Sequence, residues 1–195
     1  MKKLLPILLV VVLSGTLGVL VSERFTSEPG NAVSGLPPGG GFTLTTRDGP
    51  LTLDSLRGQV VLLYFGYAGC PDVCPTSLAV MGSALKKFTP AELERVRALF
   101  VSVDPERDTP ERLAAYAAFF HPGMTGATTD VEAINELTRR YGAAYLKVPS
   151  GGDDYAVDHT SSTYLIGPDG RLRAILPHGT PAEVVVTAVR EHLPG

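Results

Sequence analysis

Cys70 and Cys74, spaced by Pro71-Asp72-Val73, are the only two cysteines in the 195-residue sequence. They stand at i and i+4 between a buried strand and the first turn of a helix, so both sulfurs can face one point. The positive end of a helix dipole favours thiolate, the species that attacks disulfides and binds metals. An ordinary stabilising disulfide is the bland alternative, but a bridge over so short a loop removes little chain entropy. Two chemistries stay open: thiol-disulfide exchange and capture of a soft metal. Thiolate sulfur selects Cu(I), zinc or iron-sulfur clusters, and two sulfurs are too few for a closed zinc site or a four-cysteine cluster. Copper with one further ligand suits the set best. Imidazole is the natural third donor, and the sequence offers His121, His159, His178 and His192. His121 precedes Pro122 at a helix end, His178 lies in a Pro-His-Gly turn, and His192 stands three residues from the chain end. His159, in Asp158-His159-Thr160, is the favoured candidate, as a loop residue leading into a strand.

Positioning these groups takes a buried strand, a helix and a returning strand. Val60 to Phe65 is a continuous apolar run, the pattern of a strand covered on both faces. After the cysteines, Leu78, Met81 and Leu85 recur at helical spacing between Ser77 and Phe88. Thr89-Pro90-Ala91-Glu92 has the composition of a capping box, Ala98 to Val103 reads as a second buried strand, and Thr109 precedes Pro110 as a helix start. Asp130 caps a further helix that Gly142 ends. Thr163 to Ile166 and Arg171 to Ile175 flank Gly167-Pro168-Asp169-Gly170 as a hairpin, and Thr180-Pro181-Ala182-Glu183 opens a last helix. Near the start, Phe42 to Thr45 and Leu51 to Leu53 make a hairpin around Asp48-Gly49. Strands joined by helical crossovers pair in parallel, so the order is βαβ then ββα behind an N-terminal hairpin. The predicted fold is α/β and thioredoxin-like, with an N-terminal β-hairpin extension. The cysteine loop follows the carboxyl end of the first buried strand, where sites of open α/β sheets gather.

Leu4 to Val21 carries no charge and follows Lys2-Lys3. Its length matches the about 17–25 residues of a bilayer span better than the shorter core of a cleaved signal. The lysines predict an N-terminus inside and the remainder on the extracytoplasmic side. The expected organisation is an anchor or signal over 1–24, a flexible Gly- and Pro-rich linker over 25–41, and one domain over 42–195. With 17 Lys and Arg against 20 Asp and Glu the net charge is −3, which lacks the footprint of a nucleic-acid binder.

Phe65-Gly66-Tyr67 before Cys70-Pro71-Asp72-Val73-Cys74-Pro75, the stretch Val101-Ser102-Val103-Asp104-Pro105-Glu106-Arg107-Asp108-Thr109-Pro110, and Asp158-His159 ahead of Tyr164-Leu165 together resemble the Sco/SenC copper chaperones. The resemblance spans essentially the whole domain. It implies a membrane-anchored thioredoxin-like domain with Cys70, Cys74 and His159 as copper ligands, Cu(I) foremost and Cu(II) as well. It also implies a role in building the CuA centre in subunit II of cytochrome c oxidase. A thiol reductant and a second copper chaperone as donor are the further partners expected. The alternative is a thiol-disulfide reductase acting on the CuA-site cysteines, with Cys70 and Cys74 as its redox pair. Asp72 and Asp158, beside the ligands, orient them, receive the partner, or cap local structure. Ala68-Gly69 departs from the more polar pair common in the family, and three residues between the cysteines distinguish the chain from ordinary thioredoxins.

Overall fold

Alternate side chains of a strand leave to opposite faces, and in the run from Val60 both sets are apolar. The resulting strand β3 (Val60–Gly66) is buried throughout. Val61, Leu63 and Phe65 enter one hydrophobic cluster, whereas Val60, Leu62 and Tyr64 enter another. Burying a Val, Leu or Phe side chain contributes about 1.5–3 kcal/mol, so this strand anchors the fold. The computed structural model describes residues 35–151 and 154–194. The segment Leu4 to Val21 lies outside them, and no helix among the described residues is long and apolar enough to cross a membrane.

Among the described residues, seven strands form one sheet in the spatial order β2 (Gly49–Thr52), β1 (Thr43–Thr46), β5 (Met124–Thr128), β4 (Val96–Ser102), β3, β8 (Thr163–Ile166), β9 (Leu172–Leu176). β4 runs parallel to β3 and β8 antiparallel to it. Helices α1 (Val73–Leu85), α3 (Pro110–Phe120) and α5 (Ala182–Arg190) supply apolar residues to the cluster containing Tyr64, while α4 (Val131–Arg140) supplies the other. The expected thioredoxin-like order is present as β3-α1-β4 and β8-β9-α5. The N-terminal hairpin extends the sheet by pairing β1 with β5. Its turn is tighter than expected, with Thr46 opposite Gly49, whose φ of 114° suits glycine.

The local signals behave unevenly. Thr89 and Glu92 form both bonds of a capping box on the short helix α2 (Pro90–Leu93), and Thr109 and Asp130 cap α3 and α4 through their side chains. Thr180 does not cap α5: its hydroxyl donates to the Pro177 carbonyl, and Pro181 occupies the N-cap position. Helix α1 begins at Val73 rather than Ser77, taking Cys74 into its first turn. Strand β5 and a separate two-stranded sheet, β6 (Tyr145–Gly151) with β7 (Asp154–His159), were not expected from the sequence pattern. His159 therefore ends a strand instead of sitting in a loop.

Candidate metal centre

The site forms where the carboxyl end of β3 meets the N-terminus of α1. Gly66, the last residue of β3, has no side chain because the Cys74 sulfur takes the space: a Cβ there would lie 2.5 Å from Sγ. The chain turns over Tyr67–Cys70, with the Cys70 N–H donating to the Tyr67 carbonyl at 3.2 Å. Asp72 stands at the N-cap of α1, yet its side chain makes no cap bond. The Cys70 sulfur accepts the Cys74 N–H at 3.5 Å instead, so one of the helix's orphan donors faces sulfur.

His159 arrives from the opposite side on β7. Its Nε2 lies 3.2 Å from the Cys74 sulfur, and its Nδ1 lies 3.1 Å from the Thr160 carbonyl. A carbonyl only accepts, so Nδ1 carries the proton and Nε2 presents its lone pair to the sulfurs. The ring meets Tyr64 and Tyr67 edge to face, with centroids 6.1 and 6.0 Å away. The ligand atoms of Cys70, Cys74 and His159 all lie within 4.8 Å of one another, and neither sulfur is bridged. Burial holds the His159 imidazole below its ordinary pKa, against the raising influence of the Thr160 carbonyl and Asp158. It is thus neutral near pH 7, the form that ligates.

The sulfurs differ. Cys74 is buried and Cys70 half-buried. Burial pushes the Cys74 thiol well above its ordinary value, with the Tyr67 backbone opposing and Cys70 adding to the shift. Burial thus works against the thiolate that a helix N-terminus favours, and an incoming cation must displace the Cys74 proton. A groove of about 400 Å³ opens beside the sulfurs, lined by Tyr67, Cys70, Pro71, Val73, Val157 and His159, with Asp72 and Asp158 along it.

Two of the other histidines have ordinary side-chain partners: His121 Nδ1 accepts the Gly123 N–H at 3.0 Å, and His178 Nδ1 lies 2.9 Å from the Ser77 hydroxyl. His192 follows the end of α5, its backbone N–H donating to the Val189 carbonyl. Among the described residues, only His159 joins the two cysteines in a metal-sized cluster.

The SCO1/SenC family model matches residues 33–194. The chain belongs to the SCO1/SenC family. It is 38% identical over 157 residues to the mitochondrial SCO2 homolog of Bos taurus, a match covering 79% of this chain and 59% of that protein. The chain therefore spans about 60% of the length of such curated relatives. The copper-bound structure of Bradyrhizobium japonicum ScoI superimposes with a TM-score of 0.73 at 37% identity, covering 80% of this chain and 99% of that one. BsSco, described as a member of the Sco family of cytochrome c oxidase assembly proteins with a disulfide switch, gives 0.65 at 32% identity over 81% of this chain and 94% of its own. These similarities support the thioredoxin-like α/β fold of this SCO1/SenC chain.

Several residues of the site escaped sequence reasoning. Asp108, only 2% exposed, accepts the Ala68 N–H at 2.8 Å and the Ser102 hydroxyl at 2.6 Å. The cysteine loop is thus held by backbone at Ala68, which explains why an apolar pair at Ala68-Gly69 serves there. Asp104, fully buried, pairs with Arg107 and accepts the Tyr155 hydroxyl. The usable signal was two carboxylates directly after a buried strand, since such groups persist only with partners.

Proposed function

We propose that this SCO1/SenC protein binds copper through Cys70, Cys74 and His159 and delivers it toward the CuA centre in subunit II of cytochrome c oxidase. The observation that carries the reading is the convergence of two sulfurs and one imidazole nitrogen within 4.8 Å. Two thiolates and one imidazole make a soft donor set that suits Cu(I) and leaves room for an acceptor's ligands. The copper-bound state of the Bradyrhizobium relative and the oxidase-assembly role given for BsSco support it. In the same reading, residues 1–24 anchor the chain, the domain works on the extracytoplasmic side, a second chaperone donates copper, and a thiol reductant keeps the cysteines free. Cu(II) is a second cargo for the same atoms.

The reduced protein takes up one Cu(I) per chain, and His159→Ala weakens that affinity and removes the nitrogen signature from X-ray absorption. Undiminished affinity with an unchanged spectrum would refute the ligand set. The paired free thiols favour one other reading, reduction of the CuA-site cysteines. There Cys70 and Cys74 pass two electrons and two protons to a partner disulfide and become a disulfide themselves. His159 is dispensable in that reading, so restored CuA assembly by His159→Ala with failure of Cys70→Ser would favour it.

A further inference from the structure

The sulfurs and the imidazole of the site belong to two separate pieces of structure. Cys70 and Cys74 sit on the β3–α1 connection of the large sheet. Among the described residues, β7, which His159 ends, pairs with β6 in a two-stranded sheet of its own. Something must fix the gap between the pieces, because a metal site tolerates only about 0.5 Å of misplacement. The segment Asp104–Asp108, after β4, touches both. Toward the sulfurs, Asp108 accepts the N–H of Ala68, two residues before Cys70. Toward the imidazole, Tyr155 donates its hydroxyl to Asp104 Oδ1 at 2.7 Å, and Arg107 Nη1 donates to the Tyr155 carbonyl at 2.7 Å. The Arg107 guanidinium also stacks 3.7 Å from the Tyr155 ring centre and stands 5.7 Å from that of Tyr67, the ring that meets His159. On β6, Lys147 ion-pairs with Glu106 of the same segment at 2.7 Å. Asp104 is fully buried, and its two oxygens are committed to Arg107 and Tyr155.

We infer that Asp104, Arg107 and Tyr155 are positioning residues that latch the β6–β7 hairpin to the core and thereby set whether copper holds three ligands or two. The inference rests on the proposed copper site. With the latch intact, Nε2 stays at the sulfurs. With it open, copper remains on Cys70 and Cys74 while the hairpin carries the imidazole away. A planar guanidinium that donates and stacks at once is not replaced by an ammonium, so Arg107→Lys behaves as a loss.

The test uses the full chain, reduced and titrated with Cu(I), in wild-type, Tyr155→Phe, Arg107→Met, Arg107→Lys and His159→Ala forms. X-ray absorption of wild type shows sulfur and nitrogen neighbours. The latch variants are expected to keep one copper per chain, lose the nitrogen neighbour and weaken affinity by about 10–100-fold, the range for groups that orient a metal ligand. On a His159→Ala background, Tyr155→Phe adds no further loss, because the ligand it positions is already gone. Retention of nitrogen in Tyr155→Phe and Arg107→Met overturns the inference, as does an equal loss from Tyr155→Phe with and without His159. If Arg107→Met does not fold, Tyr155→Phe, which deletes one hydroxyl, decides. If wild type takes up no copper, the parent reading falls and this one with it. If wild type binds with nitrogen and the variants match it, only the latch falls.

Discussion

Gly66→Ala is the sharpest perturbation the site allows, because it adds one carbon where the sulfur already stands. The new Cβ would lie 2.5 Å from Cys74 Sγ, 3.0 Å from Phe100 and 3.1 Å from Tyr64. Non-bonded heavy atoms sit comfortably at about 3.5–4.0 Å, so the sulfur must retreat by about 1 Å into a packed core. Its neighbours Tyr64, Phe100 and Leu78 are fully buried and have nowhere to yield. Overpacking of this kind costs about 1–3 kcal/mol. At about 2–4 °C per kcal/mol for a domain of this size, thermal unfolding of the reduced, metal-free protein should fall by about 2–12 °C. The same displacement exceeds the about 0.5 Å a metal site tolerates, so Cu(I) affinity falls as well. Gly69→Ala is the control: in the same loop, its Cβ would meet only the Tyr67 ring at 3.4 Å, an ordinary contact. We predict that Gly69→Ala leaves both quantities near wild type. If Gly66→Ala keeps both the wild-type melting temperature and the wild-type copper affinity, the packing argument for the sulfur's position is wrong.

Asp108→Ala removes the acceptor of the Ala68 N–H and the Ser102 hydroxyl, and a buried donor left without a partner costs about 1–3 kcal/mol. Urea unfolding should show a loss of at least that size, and an unchanged midpoint would contradict the role given to Asp108. Hydrogen bonds from Arg190 hold the Glu92 carboxyl down to about 2. A carboxyl whose folded pKa is lowered contributes stability that is fully present above its unfolded pKa and lost as pH falls through the folded value. Glu92→Gln keeps the capping bond but removes the charge. The stability gap between wild type and this variant should hold from pH 7 to about pH 5, near the upper edge of carboxylate titration, and shrink below it. Unfolding titrations that show a constant gap down to pH 3 would contradict the assignment.

The legible parts of the sequence were those whose residues obey one local rule. The apolar run of β3 reads as a buried strand because both of its faces are covered, and Thr89, Thr109 and Asp130 cap helices where their side chains reach backbone donors. Strand β5 was hidden because Gly126 sits in its middle. A Cβ at Gly126 would collide with the Leu113 carbonyl of α3, so close helix packing demands the very residue that reads as a turn. The β6–β7 hairpin was hidden for the opposite reason. Lys147, Pro149, Ser150 and Gly151 are polar or turn-forming, and much of β6 lies open to solvent, which leaves no alternation to detect. His159 was found by the company it keeps in sequence, but its place at a strand end follows from long-range pairing with Tyr145. The same limit hid Arg107 and Tyr155, which are 48 residues apart and meet only in the fold.

The unequal depth of the two sulfurs gives the site a direction. Cys70 lines the groove and Cys74 lies behind it against the sheet, so any thiol, thioether or metal ion arriving from solvent meets Cys70 first. In the proposed exchange of copper with a partner, the outer sulfur would then be the first touched on arrival and the first displaced on departure, and the inner sulfur, walled by Tyr64 and Gly66, would hold on until last.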